Sequence, residues 1–343
     1  MLAALFDAIG KPLRIGELAI LKPAAEQVLI KIRRCGICGS DLHMTAEPVF
    51  GVARDDVLGH EFSGEVLEVG AGVEGLKTGD RVTVAPLPGC GDCEACRRGE
   101  PAWCAAMALI GGGYAQYAAV AGRQCRKLPW GVDLADGALA EPLAVALHAV
   151  MQAEMRPGER VLVVGAGAIG LSVAFWARRS GAGEVIVTDL HRFQEDRAMA
   201  LGASALVVSD AELSKAVLDR WGVGPDIVLE CVGKVGLIDH CIGLVRPRGK
   251  VIGVGLCTTR DHLDMFRAIS KGVKIIMSAF FNMHEFRAAI DTLGAGRFAP
   301  QALVTETISL TALPQAFEAL RQRTAQCKVL VDPFATDMPA SAS

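Results

Sequence analysis

The segment Val161-Leu-Val-Val-Gly165-Ala-Gly167-Ala-Ile169-Gly170 leaves the chain few folds to choose from. Four β-type apolar residues run into three glycines spaced G-x-G-x-x-G, and helical spacing follows. A strand, a tight turn and a helix packed back on the strand satisfy that pattern. The first glycine permits the turn, the second lets backbone approach a pyrophosphate, and the third lets helix and strand touch. The helix start then offers free N–H groups and a positive dipole end to phosphates. Asp189 ends the next strand, 19 residues beyond Gly170. A carboxylate there can accept both adenosine ribose hydroxyls and repel a 2′-phosphate. The segment therefore reads as a dinucleotide site with NAD favoured over NADP, although His191 and Arg192 follow Asp189 and could supply positive charge. A nucleotide-free packing turn is the competing reading.

The flanking pattern supports the strand–turn–helix unit. Strands are expected at Arg160–Val164, Glu184–Asp189, Ala205–Val208, Asp226–Glu230, Lys250–Val254 and Lys274–Phe280. Helices are expected between them at Ala168–Ser180, Gln194–Leu201, Ala211–Trp221 and Leu237–Leu244. Repeated βα units imply a doubly wound parallel sheet, so the chain belongs to the α/β class. Ligands of such sheets sit at the carboxyl ends of the strands, which adds Cys231-Val232-Gly233 and Val254-Gly255 to the cofactor contacts. Residues 1 to about 145 read instead as strands and loops, with turn signals every eight to twelve residues. His284–Leu293 and Pro314–Arg323 read as helices outside the parallel sheet, and the tail from Ala335 as frayed.

With 343 residues, 51% of them apolar, two domains are expected. The net charge of −3 comes without a basic block, which argues against nucleic acid. Val161 to Ala177 is uncharged over 17 residues, short of a membrane span and interrupted by glycines. The N-terminus lacks the basic start of a signal peptide, so a soluble cytoplasmic protein is expected.

The eleven cysteines are unevenly placed. Cys90-x2-Cys93-x2-Cys96-x7-Cys104 puts four thiols on turns that Pro88, Gly89, Gly91 and Gly99 supply. Four protein thiolates close a tetrahedral Zn²⁺ and leave no water position, the pattern of a structural site. An iron–sulfur cluster or four unrelated thiols are the alternatives. A second group lies upstream, in Cys35-Gly-Ile-Cys38-Gly-Ser40-Asp41-Leu-His43 and Gly59-His60-Glu61. Cys38, His60 and a carboxylate could make three ligands with an open fourth position, the layout of catalytic zinc. Taken singly, each has a bland reading as core thiol, turn histidine or surface acid.

In order and joint presence, these motifs resemble the zinc-containing medium-chain dehydrogenase/reductase superfamily, which includes alcohol, sorbitol and threonine dehydrogenases. The resemblance spans nearly the whole chain, adding G-D-R-V, E-P-L-A and E-C-V-G to the motifs above. It implies a GroES-like β-rich catalytic domain at 1–145 with the zinc lobe at about 88–105. A Rossmann NAD-binding domain follows at 146–283, and 284–343 returns to the catalytic domain. It implies two zinc ions per chain and a homodimer or homotetramer joined partly through Rossmann sheet edges. Cys38 and His60 become catalytic zinc ligands, with Glu61 and Glu141 both candidates for the third position. Ser40 and His43 become a proton relay.

The implied activity is oxidation of an alcohol to a ketone or aldehyde by NAD, with zinc lowering the pKa of the alcohol. Many relatives carry an arginine five residues after the ribose-binding acid; Gln194 stands there, and Arg192 is the candidate substitute. Sorbitol-type relatives often have tyrosine after the relay histidine, where this chain has Met44. Met44, Val49 and Phe50 favour a secondary, apolar or aromatic alcohol, whereas Glu141 favours a polyol or threonine-type substrate. A non-catalytic NAD-binding protein is the reading from a different class.

Overall fold

The computed structural model describes residues 1–322 and 325–336. Two compact units emerge: Met1–Glu141 with Asn282–Ser343, and Pro142–Phe281. The strands, in chain order, are β1 (Leu2–Leu5), β2 (Arg14–Glu17), β3 (Gln27–Gly36), β4 (Glu61–Val69) and β5 (Arg81–Val84). Then come β6 (Tyr117–Ala121), β7 (Cys125–Lys127), β8 (Arg160–Val164), β9 (Glu184–Asp189) and β10 (Ala205–Val208). The last are β11 (Ile227–Glu230), β12 (Lys250–Gly253), β13 (Lys274–Met277), β14 (Val304–Ser309) and β15 (Lys328–Asp332).

The second unit is a six-stranded sheet in the order β10-β9-β8-β11-β12-β13, every pairing parallel. Its inner strands are apolar runs buried on both faces, such as Val161–Val164 and Val185–Val187, because crossover helices cover a parallel sheet on each side. The uncharged run from Val161 to Ala177 divides into β8, the glycine turn and the helix Ala168–Arg179. No helix among the described residues is long and apolar enough to cross a membrane. A helix at Met265–Lys271 was not foreseen; Asp264 caps it by accepting from the Arg267 N–H. The last strand stops at Met277, short of the expected Phe280. Its register partner β12 ends at Gly253, and Phe280 takes a left-handed backbone (φ 61°) that no strand allows.

The first unit is built on a seven-stranded sheet, order β14-β15-β3-β4-β5-β7, with β6 also pairing β3. The pairing β15–β3 matters most, because it brings residues from beyond 300 beside Cys35 and Gly36. Its core holds Ile30, Ile32, Phe62, Tyr114, Phe286 and Phe317, all essentially without exposure. The chain re-enters this unit at Asn282, whose side chain accepts from the N–H groups of His284 and Glu285 while Glu285 accepts from the Asn282 N–H. That reciprocal cap starts the helix Met283–Gly294. A short helix at Leu313–Ala319 stands where Pro314–Arg323 was expected; Arg323 and the tail beyond residue 336 lie outside the described residues.

Asp226, just before β11, ties three strands together. It accepts from the Arg160 backbone N–H at 2.8 Å and from Arg246 Nε at 2.6 Å. Burial works against its charge, but these donors win and hold its carboxyl below the usual range. Asp226→Asn should therefore cost about 1.5–3 kcal/mol at neutral pH, measured by urea unfolding. A depressed folded pKa contributes stability above the unfolded value, near 3.9, and loses it as pH falls through the folded value. The gap between wild type and variant should hold from neutrality down to about pH 4 and close below it.

Candidate active site and metal centres

Strand β3 ends at Gly36, and two residues later Cys38 caps the helix Gly39–Ala46. His60 immediately precedes β4 and Glu61 opens it, so the antiparallel β3–β4 pair sets Glu61 opposite Gly36. One ligand atom from each of Cys38, His60 and Glu61 lies within 4.8 Å of the others.

Hydrogen bonds orient each member. His60 Nδ1 stands 3.2 Å from Asp41 Oδ1, leaving Nε2 turned toward Ser40 Oγ at 3.4 Å. Ser40 Oγ also donates to Cys38 Sγ at 3.1 Å. Asp41 is fully buried and accepts from Tyr114 Oη at 2.6 Å, so a carboxylate locks the imidazole and a phenol locks the carboxylate. Burial alone would lower the His60 pKa, but Asp41 and the Cys38 sulfur raise it well above the ordinary value. His43, one turn along the helix, is half-buried and joined to Glu47 at 2.8 Å through Nδ1.

Glu61 has a partner that the sequence pattern did not reveal. Lys328, at the start of β15, places Nζ 2.8 and 2.6 Å from the two Glu61 oxygens and donates to the Ile37 carbonyl at 3.1 Å. Both side chains are almost wholly buried. Space here is tight: a Cβ on Gly36 would lie 2.1 Å from Glu61 Oε2 and would push the carboxylate aside. Glu141 opens the helix Ala140–Gln152 and lies outside the compact three-residue group. It is buried and has no hydrogen-bond or ion-pair partner among the described residues. Burial pushes its carboxyl up to about 7, His60 pulling it down and Glu61 pushing it up. Cys38, His60 and Glu61, a thiol, an imidazole and a carboxylate, are a donor set suited to a divalent cation. Cys35 stays apart, a buried thiol that burial pushes well upward.

The second thiol group gathers too. The sulfurs of Cys90, Cys93, Cys96 and Cys104 lie within 4.8 Å of one another, and all eleven cysteines are free. Backbone N–H groups of Cys90 and Ala106 point at Cys104 Sγ, and that of Cys93 at Cys90 Sγ, each at 3.3 Å. Such donors stabilise thiolate, and the N–H groups of Cys93 and Asp92 draw Cys90 down to about 6. Four converging thiols with backbone donors fit a closed zinc site.

In the other unit, the glycine motif has the geometry its spacing implies. A Cβ on Gly170 would sit 1.8 Å from the Gly165 carbonyl oxygen, whereas one on Gly167 would meet nothing within 4 Å. The helix thus packs hard on the turn while open space stands at its amino end, a cradle for an anionic group. Ile169 is half-buried on the same turn. Asp189 Oδ2 accepts from the Ala166 N–H at 2.7 Å, fastening the end of β9 to the turn. Arg192 pairs with Glu195 at 2.6 Å, so its charge is balanced. Gln194, in the position where relatives carry arginine, is buried and accepts from Arg197. Cys231-Val232-Gly233 follows β11. The buried Glu230 shapes this loop by accepting from the Val232 and Gly233 N–H groups at 2.6 and 2.9 Å. The N–H groups of Val254 and Gly255 return to the Glu230 carbonyl. Glu230 was visible in the sequence only as the first letter of E-C-V-G.

A parallel-sheet unit with a glycine-turn anion cradle, in one chain with a β-rich unit carrying two metal-type clusters, defines a zinc-type dinucleotide oxidoreductase. The family profile described as "Alcohol dehydrogenase GroES-like domain" matches residues 24–130, and "Zinc-binding dehydrogenase" matches 168–295. Sorbitol dehydrogenase of Halalkalibacterium halodurans is 33% identical over 91% of this chain and 93% of its own. A zinc-binding dehydrogenase of Sinorhizobium meliloti 1021 bound to NADP superimposes with a TM-score of 0.88, at 29% identity over 97% of this chain and 99% of that one. An alcohol dehydrogenase from Escherichia coli CFT073 in complex with NADH gives 0.88 at 28% identity, over 97% and 99%. The chain belongs to the zinc-containing medium-chain dehydrogenase/reductase superfamily, as an oxidoreductase of its alcohol and polyol dehydrogenase group.

The Lys328–Glu61 pair generates a direct test. Removing one partner of a buried pair strands the other charge. Lys328→Met should lower stability by about 3–5 kcal/mol, seen as a shift of the urea midpoint.

Proposed function

We propose that the chain is a zinc-dependent, NAD-linked dehydrogenase acting on a secondary hydroxyl of a small polyhydroxy compound. The observation carrying this is the convergence of Cys38, His60 and Glu61 within 4.8 Å. When bound, zinc supplies Lewis acidity toward a hydroxyl oxygen and the nicotinamide ring supplies the hydride acceptor. The protein's own part is positional and acid–base. Cys38 and His60 would hold the metal with Glu61 as the third ligand, and Asp41 fixes the imidazole through Nδ1. Ser40 Oγ, next to both Cys38 and His60, takes the hydroxyl proton, and His43 on the same helix face delivers it to solvent. Cys90, Cys93, Cys96 and Cys104 would hold the structural zinc.

The preference for NAD rests on charge. Asp189 stands at the end of β9, and the nearest arginine after it, Arg192, is neutralised by Glu195, leaving little to attract a 2′-phosphate. The Gly165 turn, Ile169, Cys231–Gly233, Val254 and Gly255 complete the dinucleotide contacts. The polyol assignment follows the sorbitol dehydrogenase relative, and the structure weakens the apolar alternative. Met44 packs against the hydrophobic core and Val49 is three-quarters exposed, so neither supports an apolar pocket. The free thiols fit a reducing compartment, and we place the enzyme in the cytoplasm.

Metal analysis should find two zinc ions per chain, with Glu61→Gln reduced to one and Glu141→Gln retaining both. Reduction of NAD to NADH should be fastest with sorbitol or xylitol, and reduction of NADP to NADPH should be slow. A preference for benzylic or long-chain alcohols would instead return the apolar reading, and a chain holding only the four-cysteine zinc would remove the catalytic one.

The subunits associate, on this proposal, through the edge of the parallel sheet. Strand β13 is bonded on one side only, and the helix before it exposes Phe266 and Ile269 at 82% and 74%. An unprotected edge flanked by apolar side chains invites a second copy. Light scattering after gel filtration should show a dimer or tetramer, and Phe266→Glu should shift it toward smaller species.

A further inference from the structure

The parallel-sheet unit carries a second concavity at the opposite end of its strands. A cavity of about 640 Å³ is lined by five cations, Arg156, Arg246, Arg248, Lys250 and Lys274. Lys250 and Lys274 begin β12 and β13, Arg246 and Arg248 lie in the turn before β12, and Arg156 opens the turn leading into β8. These are amino ends of strands, whereas the dinucleotide motif occupies carboxyl ends. At about 3.3 Å per residue, the strands separate the two places by roughly 15 Å.

The charge in this cavity is not balanced by its own carboxylates. It has three, Glu154, Glu159 and Asp226, two fewer than its cations. Asp226 is spent on Arg160 and Arg246, and Glu159 accepts from the Arg156 backbone N–H. Lys250 Nζ is committed to the carbonyls of Ala153 and Glu154. The side chains of Arg156, Arg248 and Lys274 have no hydrogen-bond or ion-pair partner among the described residues. Arg248 is held by its backbone, in a left-handed conformation (φ 59°) with its N–H donating to the Lys271 carbonyl at 2.7 Å. Like charges gathered around a concavity repel each other and concentrate anions from solution. Guanidinium groups match phosphate oxygens in paired hydrogen bonds.

We infer that this cavity is a second anion site, which takes a small ligand bearing two or more phosphate groups. The volume suits a metabolite and is far too small for a nucleic-acid duplex. Three uncommitted cations exceed what one carboxylate needs, and polyphosphate is the compact group that answers them. The site is separate from the glycine turn and does not depend on which alcohol the enzyme oxidises.

The test uses the full chain saturated with NADH, so that the glycine turn is filled, and inorganic pyrophosphate as the probe. Calorimetric titration at about 0.15 M ionic strength should show one site per chain, weakening as salt is raised. The double variant Arg248→Gly with Lys274→Gln should bind pyrophosphate about tenfold more weakly or worse, with NADH affinity and thermal unfolding unchanged. Glycine keeps the left-handed backbone at 248, and residue 274 is exposed. If that variant unfolds early, Arg156→Gln with Lys274→Gln, both exposed, serves in its place. The inference fails if NADH-loaded wild type shows no saturable binding up to about 10 mM pyrophosphate. It fails equally if the variants bind the probe as wild type does. Should NADH itself not bind, the dinucleotide reading falls, and the variant comparison with pyrophosphate alone still decides the second site.

Discussion

A buried ammonium between two carboxylate oxygens and a backbone carbonyl holds the centre of the β-rich unit in register. Lys328 and Glu61 come from opposite ends of the sequence and meet out of water. Such a pair need not add net stability, because the cost of stripping water from both ions rivals their attraction. What it does add is position. Glu61 cannot swing away from Cys38 and His60 without leaving a lysine unsatisfied, and β15 cannot slide along β3 without leaving the glutamate so. Asp41 does similar work for His60, and Tyr114 for Asp41, so one side of the cluster is braced by hydrogen bonds and the other by charge.

The architecture distributes its chemistry by strand polarity. In the parallel sheet, every strand points its carboxyl end the same way, so Gly165, Asp189, Cys231 and Val254 gather at one edge without special design. Glu230 then stitches two neighbouring loops by accepting from one with its side chain and from the other with its carbonyl. The same polarity collects Arg160, Asp226, Lys250 and Lys274 at the other edge. There Asp226 serves as the counter-charge for the two arginines nearest it, and the cations beyond its reach face solvent.

Much of this was legible in the residues. The glycine spacing after Val161–Val164 required a strand–turn–helix, and the close approach of Gly170 to Gly165 is the contact that spacing encodes. The four-cysteine lobe was equally plain, because thiols on glycine turns have few other uses. Lys328 was not legible. It looks like the ordinary polar start of the apolar strand Lys328–Val331, and nothing local says that its partner lies 267 residues earlier. Met44 shows the same limit, since the direction of its side chain, packed in part against the core, cannot be read from its place after His43. Local pattern reveals elements and clusters; long-range pairing and side-chain direction have to be seen.

The 267 residues between Glu61 and Lys328 have a consequence for biosynthesis. Strands β3 and β4, carrying Cys38, His60 and Glu61, leave the ribosome well before the lysine that neutralises Glu61. A nascent chain must therefore keep a glutamate in water, or let it take up a proton or a passing ion, until β15 has emerged. A transcript truncated shortly before codon 328 would encode nearly every recognisable motif of the family and still yield a protein whose centre cannot close.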